Sequence, residues 1–390
     1  MRERHVIRAL CPALGFLVVA SLSQAGASAQ EPQAAPTPHG YRVTVIEQGW
    51  NGFAGRDINE KGQIAGTGRS ATPPPDNAFE SSARRYDPGD GVTDLGAGNG
   101  SLGLSINNHG DVVGFRRPGA DRPGAHDEAF YWSEGGGARG LGGLGGGFSW
   151  AWGVNDRREV VGQAERADGN RVAFVWTKRD GMRSLGDLPG GQVGSAALHV
   201  TDRGSVVGYA YGAAGQHAML WTDRDGMRDL GDLPGGLSES AAFSANDRGQ
   251  VVGYGYTAGP GYGYRRAILW TEDGALRDLG VLKPDDDSIA VDINKDGTVL
   301  GWSVPTPGGV AVDFIPWVWT EDDGMRSLNT LLPDGWSAYG TGAINDKGEI
   351  VIQAMRDGQW ATVLLSPHNP EPAGLLAATA AGFLLLRRRR

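Results

Sequence analysis

The sequence predicts an all-β protein, a seven-bladed β-propeller whose ring is closed by an N-terminal strand. Three observations predict this fold: a unit of about 47 residues recurs seven times, each unit reads as four short strands, and the two ends of the repeat region complement each other. Glycine makes up 64 of the 390 residues, while valine, leucine, isoleucine and twelve tryptophans remain plentiful. This composition is typical of a turn-rich β protein and not of collagen or of a disordered chain.

The first repeated feature is a short turn that contains asparagine in six of its seven copies. The copies begin 45 to 51 residues apart, and a β-branched residue follows each of them. Glycine comes directly or nearly directly after that residue in every unit except the seventh, which has Ile352. The seven copies are INEKG at 58–62, INNHG at 106–110, VNDRR at 154–158, VTDRG at 200–204, ANDRG at 245–249, INKDG at 293–297 and INDKG at 344–348.

The second repeated feature is an aromatic residue followed nine positions later by leucine. Between them lies a turn with Asp-Gly or Gly-Gly, such as Asp225-Gly226. A buried tryptophan removes ~200 Å² from water, or about 5 kcal/mol gross at ~25 cal/mol per Å², so packing between blades is enough to explain this repeat. The aromatic residues are Tyr86, Trp132, Trp176, Trp221, Trp270 and Trp319, and the leucines are Leu95, Leu141, Leu185, Leu230, Leu279 and Leu328.

Within each unit apolar residues alternate with small or polar ones, which indicates β-strands. Phe130 and Trp132 form one such pair, and Phe174 and Trp176 form another. We expect asparagine and Asp-Gly to supply the positive-φ positions of the hairpin turns. No stretch between residues 41 and 366 has convincing helical spacing. Four antiparallel strands per unit predict a propeller blade.

The two ends of the repeat region predict how the ring closes. YRVTVI (41–46) matches the fourth strand of the next unit, GVTDL (91–95), but has no first three strands before it. The seventh unit supplies three strands that end at WATVLLS (360–366) and lacks a fourth. The N-terminal strand is therefore expected to complete the last blade and cover its open edge. A β-solenoid is the alternative fold, which would need no such complementation.

The repeat also resembles a known family. HAMLWTDRDGMRDLGDLPGG (217–236), with SANDRGQVVGYGY (244–256), resembles the HAF repeats of extracellular bacterial proteins, and the resemblance covers about residues 41–366. It implies an extracellular location and no catalytic residues. The histidine and phenylalanine of the name are poorly kept, because the slot reads NAF at 77–79, EAF at 128–130, VAF at 172–174, HAM at 217–219 and RAI at 266–268.

The N-terminal residues predict export. Three arginines lie within the first eight residues, a largely apolar run extends from residue 9 to 22, and Ala27 and Ala29 form an A-x-A cleavage site. Residues 1–29 are therefore interpreted as a signal peptide and residues 30–40 as a flexible linker. Cys11, the only cysteine, lies in the signal peptide, so no disulfide is expected in the exported protein.

The C-terminal residues predict a sorting tail. Residues 367–372 form a linker with a PEP motif, and an apolar run (373–386) follows whose fourteen residues span about 21 Å as a helix, short of the ~30 Å hydrocarbon layer. Together with the arginine cluster (373–390 in all) this resembles a PEP-CTERM tail, although Asn369 stands where that family often has a small apolar residue. The resemblance implies transient anchoring in the inner membrane and removal by an exosortase-like processing enzyme. A simple C-terminal anchor is the alternative. The sorting residues are Pro370, Glu371, Pro372, Arg387, Arg388, Arg389 and Arg390.

Net charge argues against nucleic acid as a partner. Residues 1–29 carry a net +2 and residues 370–390 a net +3, so removing both ends lowers the formal charge from −9 to about −14. An acidic protein is repelled by a phosphate backbone.

The residues that differ between units are the candidates for ligand binding. Asp285, Asp286 and Asp287 replace the Pro-Gly-Gly of other units in a connection between blades. In a propeller, such connections lie on the same face as the loops between the second and third strands, and we call it the loop face. Aromatic residues beside polar ones on that face could stack on sugar rings or could simply fill space. The other candidates on this face are Glu239, Trp150, Tyr262, Tyr264 and Trp336.

Several motifs have simpler explanations. DINKDG (292–297) resembles a calcium loop, but its twelfth position is Ser303 and strands flank it. GLGGLG (140–145) is not followed by a helix that could bind a pyrophosphate. His199 and His217 lie in separate strands and are expected to be surface or packing residues. We predict no metal, no cofactor and no catalytic residue, and G-x-S-x-G is absent from the sequence.

The sequence favours an exported cell-surface or matrix protein that binds extracellular polysaccharide without catalysis. The alternative is a secreted glycan-active hydrolase or lyase on a propeller scaffold. The only carboxylates that the alternative could use on the loop face are Asp285, Asp287 and Glu239, because packing already explains the repeated residues. The sequence identifies neither the ligand nor the oligomeric state.

Overall fold

The computed structural model describes residues 40–49, 52–69, 81–119, 125–191, 194–258, 264–304 and 314–368. These residues form seven four-stranded antiparallel sheets, which are the blades of a seven-bladed β-propeller. The only helical element among them is a single 3₁₀ turn at Leu328–Thr330. The predicted fold is therefore confirmed, and the solenoid alternative is wrong.

In blades 1 to 6 the strands run in chain order from the centre of the ring outward, and in blade 7 the outermost strand is β1. Blade 1 contains β2 (Ala54–Ile58), β3 (Ile64–Arg69), β4 (Ser81–Asp87) and β5 (Gly91–Asp94); blade 2 contains β6 (Leu102–Ile106), β7 (Val112–Arg116), β8 (Glu128–Ser133) and β9 (Gly137–Gly140); blade 3 contains β10 (Gly145–Val154), β11 (Val160–Arg166), β12 (Arg171–Thr177) and β13 (Gly181–Gly186). Blade 4 contains β14 (Ser195–Val200), β15 (Val206–Tyr211), β16 (Gln216–Thr222) and β17 (Gly226–Asp229); blade 5 contains β18 (Ser240–Ala245), β19 (Val251–Thr257), β20 (Tyr264–Trp270) and β21 (Leu276–Asp278). Blade 6 contains β22 (Asp287–Ile293), β23 (Val299–Val304), β24 (Ile315–Thr320) and β25 (Gly324–Ser327), and blade 7 contains β26 (Trp336–Ile344), β27 (Ile350–Arg356), β28 (Gln359–Pro367) and β1 (Tyr41–Gln48).

The ring closes through the first strand of the chain. β1 pairs antiparallel with β28, with Tyr41 opposite Pro367 and Val45 opposite Val363. The innermost strands contact one another in ring order, and β26 of blade 7 contacts β2 of blade 1. The N-terminal strand thus covers the edge that blade 7 would otherwise expose, as predicted from the offset of the repeat.

The core lies between the blades, and the repeated aromatic residues and leucines form much of it. Trp176, Trp221, Trp270 and Trp319 are buried, and so is every repeated leucine except Leu230, which packs against the core from a partly buried position. Arginines of the adjacent preceding blade stack on three of these rings: Arg139 on Trp176, Arg183 on Trp221 and Arg277 on Trp319, at 5.0 to 5.4 Å from the ring centroids. Packing between blades therefore explains the repeat.

A β-bulge in the innermost strand explains the repeated glycine of the second strand. In blades 1 to 6 the pairing skips one residue of the innermost strand, for example Leu198 between Ala197 and His199. The carbonyl oxygen of Ala196 then lies only 1.9 Å from where a Cβ on Gly208 would be, so this position tolerates glycine alone. Blade 7 carries a longer irregularity between Tyr339 and Ala343, and it can place Ile352 at the same position.

A serine links consecutive blades. The Ser195 hydroxyl at the start of β14 accepts a hydrogen bond from the Ala173 amide of the preceding blade at 2.9 Å and donates one to the Gly186 carbonyl at 2.8 Å. Ser101, Ser149, Ser240 and Ser288 accept the same amide hydrogen bond from Ala83, Ala129, Ala218 and Ala267. This buried alanine is the second residue of the HAF slot in blades 2 to 5, and Ala83 has the same hydrogen bond in blade 1. The predicted slot NAF (77–79) lies outside the described residues.

The predicted signal peptide and sorting tail, including Ala27, Ala29 and residues 369–390, lie outside the described residues. Within the part of the chain that the structure describes, no helix is long and apolar enough to cross a membrane.

Candidate functional site

The seven asparagine-containing turns meet at one end of the ring axis. They surround a cavity of about 200 Å³ that every blade lines with the end of its innermost strand and the start of the following turn. We call this space the axial channel. The turn residues had been interpreted only as local hairpin residues, so their convergence is a finding of the structure.

Each turn asparagine joins its own turn to the next blade. In the turn of blade 2, Asn107 Oδ1 accepts hydrogen bonds from the amides of His109 and Asp111, while Nδ2 donates to the main-chain oxygen of Asn155 in blade 3 at 3.1 Å. Equivalent links run from Asn59 to Asn107, Asn155 to Thr201, Asn246 to Asn294, Asn294 to Asn345 and Asn345 to Asn59, at 2.8 to 3.2 Å. The predicted role of asparagine as a positive-φ residue was wrong, because the only described non-glycine residues with positive φ are Arg158, Asp285 and Asp357.

We call the interblade hydrogen bonds of the turn asparagines the asparagine ring. One of its seven possible links is missing. Thr201 occupies the turn position in blade 4, and its Oγ1 accepts the Ser205 amide at 3.2 Å. Threonine has no side-chain amide to donate to the Asn246 carbonyl of blade 5. The asparagine ring therefore has six links and one gap, between blades 4 and 5, where the Arg203 amide instead donates to Asp247 Oδ1 at 3.2 Å.

Two half-buried carboxylates, Asp57 and Asp292, lie further along the channel, two residues before the turn asparagine. Asp57 Oδ2 accepts hydrogen bonds from the Ser105 hydroxyl at 2.8 Å and from the Ile106 amide at 2.9 Å, both in blade 2. Asp292 accepts hydrogen bonds from the Ser244 hydroxyl of blade 5 at 2.8 Å and from the Ile344 amide of blade 7 at 2.9 Å. Each carboxylate thus joins innermost strands of neighbouring blades.

The channel shifts the pKa values of Asp57 and His199. Burial, with a smaller contribution from the Asp292 charge, raises the pKa of Asp57 to about 6. Burial lowers the pKa of His199, although the nearby charges of Asp292, Asp202 and Asp247 oppose that shift. The expectation that His199 is a simple surface or packing residue missed its place in the channel. The signal was the position two residues before the turn asparagine, which is aspartate, serine or histidine in five units.

The DINKDG segment forms a hairpin turn in which a side-chain oxygen accepts hydrogen bonds from main-chain amides of the same turn. Asn294 Oδ1 accepts hydrogen bonds from the amides of Asp296 and Thr298, at 3.1 and 3.0 Å. No group of three or more histidine, cysteine, aspartate or glutamate residues suited to a metal ion occurs among the residues that the structure describes.

On the loop face, the three consecutive aspartates have different environments. Asp287 is neutralised by Arg265, whose main-chain amide and Nε donate to its two oxygens at 2.9 and 3.0 Å. Asp286 is buried, its Oδ2 has no hydrogen-bond partner, and burial raises the pKa of its carboxyl. Asp285 has a positive φ of 68°, which aspartate tolerates better than most residues.

Glu239 belongs to the same group of charges. Burial raises its pKa, and the Arg265 charge partly offsets that effect. The Glu239 charge in turn contributes to raising the pKa of Tyr211 and of Tyr254, after the larger effect of burial. The structure therefore brings Glu239 and Asp287 together around Arg265, beside two half-buried tyrosines that the sequence did not single out. We call these five residues the Arg265 cluster.

The other predicted aromatic residues are engaged in packing elsewhere. Trp150 stacks on Phe115 at 4.6 Å between centroids and donates from Nε1 to Asp127. The rings of Tyr264 and Trp336 lie under the guanidinium groups of Arg266 and Arg356, at 5.3 and 5.7 Å. Tyr262 lies outside the described residues.

A second polar group lies next to Glu239, at the junction of blades 4 and 5. His217, only 8% exposed, has its Nδ1 2.9 Å from Asp229 Oδ2 and 3.4 Å from Asp232 Oδ2. The exposed Ser238 hydroxyl lies 3.3 Å from His217 Nε2 and donates to Asp232 Oδ2 at 3.1 Å. The sequence predicted only a surface or packing role for this histidine, because its partners are distant in the chain.

Comparison with known proteins supports the fold. The chain is similar to a streptogramin B lyase structure (TM-score 0.51, 11% identity), covering 84% of this chain and 98% of that one. It is also similar to the β-propeller domain of the Trilobed protease from Pyrococcus furiosus (TM-score 0.51, 8% identity), covering 84% of this chain and 95% of that one. At these identities the likeness shows a shared propeller fold alone.

More distant similarity extends to TolB from Acinetobacter baumannii (TM-score 0.43, 12% identity). The alignment covers 79% of this chain and 64% of the TolB chain, so this chain spans less than two thirds of that structure. The sequence matches no protein-family profile and no curated protein sequence.

Proposed function

We propose that this protein is an exported propeller that binds a polysaccharide of the cell surface or extracellular matrix through its loop face. The observation that supports the proposal most is the Arg265 cluster. It combines one cation, two carboxylates and two half-buried tyrosine rings on a rigid blade edge. Sugars present apolar C–H faces that stack on aromatic rings and hydroxyls that pair with charged groups, so such a cluster suits them.

The electrostatics of this cluster favour binding over glycosidic cleavage. A glycosidase needs two carboxyl groups free to act on the scissile bond, one as acid and one as base or nucleophile. Here both oxygens of Asp287 accept hydrogen bonds from Arg265, which is itself on the third strand of the neighbouring blade. The ion pair keeps the Asp287 carboxylate in place as a hydrogen-bond acceptor. It also orients the Arg265 guanidinium, whose remaining N–H groups can donate to a ligand.

The test is a binding measurement with the purified full-length protein and the producer's own polysaccharide. We expect retention of the protein on immobilised polysaccharide and no shortening of the chains. Glu239→Gln and Tyr211→Ala should each weaken retention about 10-fold, which corresponds to about 1.4 kcal/mol. Asp168→Asn is the matched control, because Asp168 is an exposed loop-face carboxylate of blade 3 and should leave retention unchanged. Equal retention of all variants would contradict the proposed site.

The second candidate is a glycan-active hydrolase or lyase. One observation favours it: burial raises the pKa of Glu239, which suits a general acid. The same incubation separates the candidates, because a hydrolase or lyase shortens the polysaccharide and a binder does not. Loss of shortening in Glu239→Gln would assign the acid.

Export is proposed from the two ends of the sequence, which lie outside the described residues. Cell fractionation of the producing bacterium, with the full chain and with a chain lacking residues 369–390, tests it. We expect the full chain to pass through the membrane fraction before it reaches the surface or medium. If both chains fractionate alike, the sorting role of Pro370, Glu371 and Pro372 is wrong.

A further inference from the structure

We propose that Ser238 is a nucleophile activated by His217, and that the junction of blades 4 and 5 hydrolyses small acyl esters. The activity goes beyond binding and does not depend on it. It would remove acyl substituents and leave a polysaccharide chain intact. The residues involved are Ser238, His217, Asp229 and Asp232, which we call the Ser238 group.

The distances match the arrangement that activates a serine. Ser238 Oγ lies 3.3 Å from His217 Nε2. Its proton is donated to Asp232 Oδ2 at 3.1 Å, and rotation of the hydroxyl towards Nε2 when substrate binds would allow proton transfer to His217. His217 is buried on β16, whereas Ser238 is exposed in the connection between β17 and β18. The base is therefore held by the blade, and the nucleophile is open to solvent.

Two carboxylates select the tautomer that can act as base. Asp229 Oδ2 and Asp232 Oδ2 lie 2.9 and 3.4 Å from Nδ1, and Asp232 Oδ2 also accepts the Ser238 hydroxyl at 3.1 Å. Their charge favours a proton on Nδ1, which leaves the Nε2 lone pair directed at the serine hydroxyl. Neither contact is aligned as a hydrogen bond, so the carboxylates act on the ring through charge.

The group also contains buried polar atoms that the fold does not use. His217 Nδ1 and Asp232 Oδ1 are buried without a hydrogen-bond partner. Such atoms are uncommon in folded proteins because a buried polar atom without a partner is destabilising. In the Ser238 group these atoms lie beside an exposed hydroxyl, so they are placed to act on a molecule that binds there.

Corresponding positions in other blades lack the combination. Where blade 4 has His217, blades 2, 3 and 5 have Glu128, Val172 and Arg266. Ser238 lies two residues before the linking Ser240, and the equivalent residue before Ser195 is Val193. The packing of the repeat therefore does not account for the Ser238 group.

The reaction balances with water as the only other reactant. Ser238 Oγ attacks the ester carbonyl carbon while its proton passes to His217 Nε2. The bond to the alcohol oxygen then breaks, and the alcohol leaves with that proton. Water attacks the acyl-serine in the same way, which releases the carboxylic acid and restores the serine. Leu237, 39% exposed, provides an apolar surface next to Ser238 for a short acyl chain.

The test is labelling of the full-length protein with a fluorophosphonate, from which the serine oxygen displaces fluoride, alongside hydrolysis of p-nitrophenyl acetate. We expect peptide mass spectrometry to find the adduct on Ser238 of the wild type. Ser238→Ala should abolish labelling, and His217→Gln should slow labelling and ester hydrolysis roughly 10²- to 10⁴-fold, the range for loss of a general base. Ser184→Ala is the matched control, because Ser184 is an exposed serine of the neighbouring blade and should react like wild type.

Three results would overturn the proposal: no adduct on the folded wild type, an adduct on another residue, or equal labelling of His217→Gln and wild type at equal melting temperature. Because the readout uses a small ester and a covalent probe, it is independent of polysaccharide retention. Failure of one proposal therefore leaves the other to be judged by its own experiment.

Discussion

Asn345 of blade 7 donates a hydrogen bond from Nδ2 to the main-chain oxygen of Asn59 in blade 1, at 3.1 Å, across 286 residues of chain. The same side chain accepts the amides of Lys347 and Glu349 within its own turn. One asparagine thus fixes both a local hairpin and a contact between the last blade and the first. Five further turns repeat this arrangement around the axial channel.

Asn345→Ala is expected to lower the free energy of unfolding by about 2–4 kcal/mol. The substitution leaves two turn amides and one interblade carbonyl without their partner in a buried setting. Urea unfolding followed by tryptophan fluorescence measures the change. Asn170→Ala, in an exposed turn of blade 3, should cost less than about 1 kcal/mol, and an equal loss in both variants would contradict the structural role of the ring.

Thr201→Asn is expected to stabilise the protein by about 1 kcal/mol. The new Nδ2 would donate to the Asn246 carbonyl and complete the seventh link of the ring. The melting temperature measured by calorimetry should rise by a few degrees. A lower melting temperature would show that this gap is required by the packing of blades 4 and 5.

Gly208→Ala is expected to destabilise the protein by about 3 kcal/mol or more. Its Cβ would lie 1.9 Å from the Ala196 carbonyl oxygen, and main-chain atoms cannot rotate away. Gly226→Ala is the control, because Gly226 has a φ of 72° but nothing within 4 Å of an added Cβ. That variant should lose only the ~1–2 kcal/mol of the left-handed conformation, as measured by urea unfolding.

Asp57→Asn should change how stability depends on pH. Burial raises the folded-state pKa of Asp57 to about 6, above its unfolded value of 3.8, so the folded state holds this proton more tightly. The resulting stabilisation is fully present below pH 3.8 and is lost as pH rises through about 6. When the pH is lowered from 7.5 to 4.5, the free energy of unfolding of the wild type should therefore rise by roughly 2 kcal/mol relative to that of the variant.

His199 affects the pH dependence of stability in the opposite direction, because burial lowers its folded-state pKa. Its stabilisation is present above the ordinary histidine range and is lost as pH falls through that range. Comparing Asp57→Asn with wild type in a His199→Gln background isolates the aspartate. A pH-independent difference between the two chains would contradict the account of the channel.

The fold could be predicted from the sequence because the pattern of one four-stranded unit recurs seven times. The offset of YRVTVI against the seventh unit was enough to predict the pairing of β1 with β28. Leu95 and Trp270 were assigned to packing because hydrophobic periodicity reports burial directly.

The candidate sites could be predicted only in part. Asp285, Asp286 and Asp287 were visible because they interrupt the repeat, but the partner of Asp287 is Arg265, which lies 22 residues earlier in the neighbouring blade. The pairing of His217 with Ser238 depends on the path of a connection that the pattern of one unit does not fix.

The channel was missed for a related reason. Asp57 and Asp292 belong to blades 1 and 6, and alternation marks both only as polar residues of a strand. Their shared environment exists only after the ring closes. Single-residue patterns predict which residues are buried in a blade, and the symmetry of the ring decides which of them meet.

The most direct test of the closed ring is a disulfide between β1 and β28. Thr44 and Leu364 are cross-strand partners, and antiparallel partners have Cα atoms about 4.5–5.5 Å apart, within the range of a disulfide. In a Cys11→Ser background, Thr44→Cys with Leu364→Cys should oxidise fully, change mobility on a non-reducing gel and raise the melting temperature. Thr44→Cys with Ser366→Cys, two residues out of register, should oxidise poorly. Equal oxidation of both pairs, or none in the first, would contradict closure of the propeller by its N-terminal strand.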